Sequence, residues 1–283
     1  MGDGNFYPRI SQAIWLLILL VLLLVGVGAV IDILGLFEQE SIIVAVVNTI
    51  SFGIVLMLGS RSVRAPYKEV FPMRRFPMRL LIPMCLVIIG ISIVGSELDN
   101  AFRALLPPPD WLNDIFLRLA GHDTSLWGSI LALVIVAPVT EELLFRGLIL
   151  RGFLSHYRVH TALVTSALLF GLFHLNPWQF VHTTAIGLLF AWWFLKTRSL
   201  IPCILGHALN NGQVFILRDI FGLDISGYTT GVGGEVQFQP LWLDAVGAVL
   251  LVCGIWLLTR IFRQRAYARL PEASVEKPPT SLH

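Results

Sequence analysis

Apolar residues along this chain come in long runs with few polar interruptions, unlike the narrow stripe carried by a water-facing helix. The run LLILLVLLLVGVGAV at 16–30 is the plainest. Taking ~20 such residues per bilayer crossing, eight segments qualify, at about 12–34, 41–59, 80–97, 126–150, 161–178, 179–196, 199–218 and 241–262. The class this predicts is all-α, a polytopic transmembrane helical bundle of about eight spans forming one unit over residues 1–263. No small-residue cleavage site follows the first run, so it reads as a retained span, not a signal peptide.

The polar positions between the runs refine this picture. One long connection, about 98–125, contains Pro107, Pro108 and Pro109, which exclude a helix interior there, and Trp111, which suits the outer interface. Another, about 219–240, holds Gly222, Gly227, Gly231, Gly233 and Gly234 and reads as a flexible outer loop. The tail at 264–283, ending LPEASVEKPPTSLH, reads as a polar, disordered cytoplasmic segment.

Charge adds sidedness. Arg61, Arg64, Lys68, Arg74, Arg75 and Arg79 follow the second span. Arg151 with Arg158, Lys196 with Arg198, and Arg260, Arg263, Arg265 and Arg269 mark later alternate ends. The other side has only Arg103, Arg118 and Arg218, beside Glu38, Glu40, Asp99, Asp110, Asp219 and Asp224. Short cytoplasmic loops collect Lys and Arg, so both termini are predicted in the cytoplasm.

Composition agrees with a membrane protein: 56% of the 283 residues are hydrophobic and 13% charged, against roughly 25% charged in soluble domains. The net charge of +2 matters less than its sidedness, and nothing in the chain points to nucleic acid. Cys85, Cys203 and Cys253 sit inside apolar segments without CxxC-type spacing, so neither a disulfide framework nor a cysteine zinc site is indicated.

Ionisable groups within spans are costly, and by default they mark function or a buried structural pair. Here they concentrate in spans four to seven: Glu141, Glu142 and Arg146; Phe170 with His174; and His207 with Asn210 and Asn211. At ~100° per residue, Glu142 and Arg146 share a face and form an i,i+4 ion pair. Glu141 is turned away from both, toward the bundle interior, which makes it the candidate general base. His174 from a facing helix is the candidate to share or hold its water. His207 and Asn211, at i,i+4, offer donors for an oxyanion, and spacing alone leaves Asn210 as open as Asn211. Structural readings stand beside these: Glu142 and Arg146 as a helix-tying pair, each His as an interhelical hydrogen-bonding residue, Phe170 as packing, and His182 as structural or interfacial.

The set Glu141-Glu142-xxx-Arg146, Phe170-xxx-His174 and His207-xxx-Asn211 resembles the three motifs of the CPBP family, the CAAX-prenyl-type intramembrane endopeptidases and bacteriocin-processing (ABI) relatives. The motif core covers about residues 125–215. The resemblance implies a glutamic mechanism without metal: Glu141 and His174 activate water, His207 and Asn211 form the oxyanion hole, and Glu142, Arg146 and Phe170 support them. It implies a peptide or protein substrate, lipidated for the prenyl-processing members, and a bilayer setting. The setting expected is a prokaryotic plasma membrane. Two alternatives compete: a zinc-dependent membrane peptidase using two His and one Glu, disfavoured because HExxH is missing, and a non-catalytic immunity or partner-binding membrane protein.

One expectation is awkward. At ~1.5 Å per residue, these span limits put Glu141 and His207 nearer the cytoplasmic side and His174 nearer the outer side. Either span five begins later than residue 161, with RGFLSHYRVHT partly in the interface, or the spans are tilted or unequal. The late start is preferred, because Ser155, His156, Tyr157, Arg158 and His160 make a poor beginning for a span.

Overall fold

The computed structural model of the chain describes residues 7–37, 39–63, 65–109, 126–229 and 236–267. The expectations placed on Trp111, on Gly231, Gly233 and Gly234, and on the tail beyond residue 267 lie outside those residues. Among the described residues the regular structure is helical throughout. The elements that matter are α1 (Ile10–Leu34), α2 (Glu40–Arg61), the short α3 (Tyr67–Val70) and α4 (Leu81–Leu105). They are followed by α5 (Leu126–His156), α6 (Val159–Phe173), α7 (Phe180–Thr197), α8 (Ile201–Phe215) and α9 (Leu241–Tyr267).

Helices therefore occupy all eight predicted segments. Five of them are long and apolar enough to cross a bilayer: α1, α2, α4 with the turn before it, α5 and α9. Large apolar side chains such as Leu22, Val25, Ile33, Val249, Val252 and Trp256 stand exposed on α1 and α9. An outward face of this kind is soluble only in lipid, and the chain is an integral membrane protein. The helices α6, α7 and α8 fall short by length or apolarity, for a physical reason. Neighbouring helices replace lipid over much of α7 and part of α8, where Ile186, Phe190, Trp193, Phe194 and Cys203 are buried, while α6 keeps an exposed apolar face at Val164, Leu168 and Leu172.

The structure corrects the preferred late start of span five. Helix α6 begins at Val159, while α5 continues to His156, so the two meet in a turn at Tyr157–Arg158. Glu141 stands fifteen positions before His156 and His174 fifteen after Val159. At 1.5 Å per residue both lie about 20 Å from the turn, at one depth. Unequal helix lengths complete the alignment. Helix α8 starts high, level with Gly147, whose absent side chain leaves room for Phe71 and Leu200. The turn before α8 is held from below by the connection after α3: Leu200 N donates to Pro72 O at 2.9 Å and Ser199 Oγ to Arg74 O at 2.6 Å.

Further limits shift. Residues 98–105, expected in a loop, continue α4, residues 264–267, expected in the disordered tail, continue α9, and residues 174–178, expected within span five, form the turn between α6 and α7.

Helix α9 runs along α4 through facing glycines, the way small residues let helix backbones approach in membranes. A Cβ on Gly90 would strike the Leu251 backbone and Gly247 O, and one on Gly254 would lie 2.9 Å from Val87 N. Gly90→Ala is expected to part the pair and lower stability by about 1–3 kcal/mol, the usual range for overpacking. A fall in thermal midpoint in detergent would report it.

Candidate active site

Helix α5 carries the acidic pair on a short regular segment, Ala137–Glu142, between two π-helical stretches, Ile130–Val136 and Leu143–Ile149. Such wide turns recur at functional sites because they re-aim the side chains that follow. One local cause is visible in the sequence: Pro138 has no N–H to give the preceding turn.

The second glutamate is fully buried and the arginine nearly so, at 0% and 1% exposure. Arg146 Nη1 donates to Glu142 Oε1 at 2.8 Å, the i,i+4 pair predicted from spacing. Its Nη2 donates to Gly187 O of α7 at 3.1 Å. The guanidinium lies 4.4 Å from the Phe170 ring centroid and 5.3 Å from that of Phe190, so two aromatic faces replace water around the cation. Gly187 also brings α7 close to α6, where its Cβ would sit 3.1 Å from Ala167 Cα. Sequence reasoning named neither Gly187 nor Phe190, because nothing at helical spacing links them to Arg146.

His207 comes in from α8. Its Nδ1 lies 3.0 Å from Glu142 Oε1, so one carboxylate oxygen holds both the arginine and the imidazole. The carboxylate accepts, which makes Nδ1 the protonated nitrogen and turns Nε2 toward Glu141 Oε2 at 3.9 Å.

His174 closes the other side. It is the residue just after α6, and its Nδ1 contacts Phe170 O at 2.8 Å. A backbone carbonyl only accepts, so Nδ1 donates, satisfying one of the carbonyls that a helix end leaves open. Nε2 faces Glu141 Oε2 at 4.0 Å. Leu175 follows in the left-handed region, at φ 51°, and turns the chain sharply away. Asn176 Oδ1 then accepts from Trp178 N at 3.1 Å and Gln179 N at 3.3 Å, which starts α7. Phe170 does more than pack: its ring centroid is 4.8 Å from that of His174 and 5.8 Å from that of His207.

Glu141, His174 and His207 thus converge, with exposure rising from 5% at His207 through 12% at Glu141 to 25% at His174. The buried Glu141 Oε2 makes no direct hydrogen bond. Both Nε2 separations exceed a hydrogen bond and are of the size at which a water bridges two polar groups.

The asparagines divide. Asn211 Nδ2 donates to Leu133 O of α5 at 2.9 Å, one turn beyond His207. Asn210 turns toward α4, where Ser92 Oγ donates to its Oδ1 at 2.6 Å. His182, expected to be structural or interfacial, rests its ring against Gly95 of α4, and its buried Nδ1 makes no hydrogen bond. Among the described residues, no three His, Cys, Asp or Glu side chains are grouped as a metal site requires.

A comparison with known families falls on the same stretch of chain. Residues 123–213 match the type II CAAX prenyl endopeptidase Rce1-like family model. This Rce1-like segment contains all the motif residues, from Glu141 to Asn211, and agrees with the CPBP resemblance of the sequence. A family of CAAX-type membrane proteases implies a hydrolase acting on a peptide or protein. No curated protein and no solved structure matches the chain.

Proposed function

We propose that the chain is an intramembrane endopeptidase of the CAAX-prenyl-protease type that hydrolyses a peptide bond with water activated by Glu141 and His174, without a metal. The observation that carries this reading is the convergence on Glu141 Oε2 of two imidazole Nε2 atoms, at 4.0 and 3.9 Å, beside the buried Glu142–Arg146 ion pair.

Water held between Glu141 and His174 Nε2 gives a proton to the carboxylate as its oxygen attacks the scissile carbonyl. The developing oxyanion takes hydrogen bonds from the Asn211 amide and from His207 Nε2. His207 can donate there only as an imidazolium, since Nδ1 already donates to Glu142. Collapse of the tetrahedral intermediate breaks the C–N bond, the proton taken from water passes to the leaving amine, and acid and amine products depart. The substrate class follows the family description and is a peptide carrying a prenylated cysteine near its C-terminus, entering from the membrane. The topology that fits the loop charges has both termini in the cytoplasm.

Zinc chemistry is the second reading: both imidazole Nε2 atoms face Glu141 Oε2, at 4.0 and 3.9 Å, and each His carries a hydrogen-bond partner on its far nitrogen, although the three side chains are not drawn together as a metal site requires. One assay separates the readings. Protein purified in detergent is incubated with quenched farnesylated and unprenylated peptides, with and without a strong chelator. Cleavage of a farnesylated peptide that survives chelation, with His174→Ala slower by about 10²-fold or more, is the expected result. Loss on chelation with recovery on added zinc would replace the glutamic mechanism by the metal one. No cleavage of any peptide would favour the non-catalytic reading.

A further inference from the structure

The oxyanion role given to Asn211 requires its amino end, not its carbonyl oxygen, to face the reacting centre. A backbone carbonyl can only accept a hydrogen bond. Leu133 O, 2.9 Å from Asn211 Nδ2, therefore fixes one polarity, and the neighbours follow from it. Asn211 Oδ1 must accept, and Asn210 Nδ2 reaches it at 3.1 Å. Asn210 Oδ1 is left as an acceptor for the Ser92 hydroxyl at 2.6 Å. Gln213 Nε2 donates to Asn210 O at 3.1 Å, and Gln213 Oε1 accepts from Tyr228 OH at 3.0 Å, which braces the same turn of α8 from the outer loop.

Why a carbonyl deep in α5 is free to receive a side chain is written in the sequence. The Ala137 N–H, which a regular helix would give to Leu133 O, goes to Ala132 O in the wide turn. The next candidate is residue 138, a proline without an N–H. A bare carbonyl inside a bundle is costly, and the Asn211 amide supplies its donor.

We infer that Pro138, Asn210 and Ser92 are positioning residues for the proposed reaction: together they hold the Asn211 amide with one N–H on Leu133 O and the other turned to the oxyanion. This rests on the endopeptidase reading above.

The test uses the full chain in detergent and the quenched peptide it cleaves fastest. Asn211→Ala is expected to lower kcat by on the order of 10²-fold, as for one lost oxyanion donor. Ser92→Ala is expected to lower kcat about tenfold with KM near wild type, the mark of an interaction made only in the transition state. Ser92→Ala is expected to add almost nothing on the Asn211→Ala background, because the two act as one unit. Ser92→Thr, which keeps the hydroxyl, restores turnover. Pro138→Ala returns an N–H that competes for Leu133 O, so kcat falls while the thermal midpoint holds or rises. Wild-type kcat in Ser92→Ala, or an undiminished Ser92 effect on the Asn211→Ala background, overturns the relay and leaves the endopeptidase reading standing. Wild-type kcat in Asn211→Ala removes both the oxyanion donor and the relay.

Discussion

Glu141→Gln is expected to leave a folded protein that no longer hydrolyses peptide, with turnover down by on the order of 10²–10⁴-fold, the range assigned to a positioned acid–base group. The substitution keeps the side chain's size and shape and removes its charge and its capacity to take a proton. It also costs the fold little. Glu141 Oε2 makes no direct hydrogen bond, so no buried partner is left empty when the oxygen becomes an amide. The charge lost is not the one that balances Arg146, which pairs with Glu142 at 2.8 Å. Single-turnover hydrolysis of the quenched peptide, read beside a thermal melt in detergent, separates chemistry from folding. An unchanged melt with the expected loss supports Glu141 as the base; near-wild-type turnover would assign the base elsewhere and end the proposed mechanism.

The largest effect on stability is expected from Arg146→Ala, at about 3–5 kcal/mol, the cost of breaking one side of a buried ion pair. Three losses coincide. Glu142 stays fully buried without its cation, Gly187 O loses the donor at 3.1 Å, and the faces of Phe170 and Phe190 close on a void. Activity should fall as well, because Glu142 also anchors His207 at 3.0 Å. Arg146→Lys should recover only part of either, since a single ammonium cannot reproduce the planar fork that reaches both the carboxylate and the carbonyl. The double variant Glu142→Gln, Arg146→Met should melt higher than Arg146→Ala while remaining inactive, because removing both charges removes the uncompensated one. A melt of Arg146→Ala within a degree or two of wild type would mean that the pair is not what holds α5, α7 and α8 together.

These residues show how far the pattern along the chain carries and where it stops. The Glu142–Arg146 contact was legible, because i,i+4 neighbours meet on any helix, and so was the turning of Glu141 away from them. The attachment of His207 to Glu142 was not, because it joins residues 65 positions apart. Counting apolar residues misplaced His174 in depth: α5 runs past its last strongly apolar stretch to His156, and α8 begins late. Such a count measures transfer into lipid. It does not measure how a helix end is received by other helices, as Leu200 is by Pro72. The freedom of Leu133 O was half legible, since Pro138 announces a missing donor but not the asparagine that answers it.

The chain by itself determined that it is a helical membrane bundle and which side chains are too costly to be incidental within it. Both follow from the demand of a bilayer that backbone polar groups be satisfied internally and that charges be few. Only the tertiary structure decided that Glu141, His174 and His207 share one depth, that Glu142 serves Arg146 and His207 at once, and that Asn211 rather than Asn210 turns to α5. Those outcomes depend on helix lengths, wide turns and close glycine crossings, which are set by packing between segments distant in sequence and have no periodic trace within any one of them.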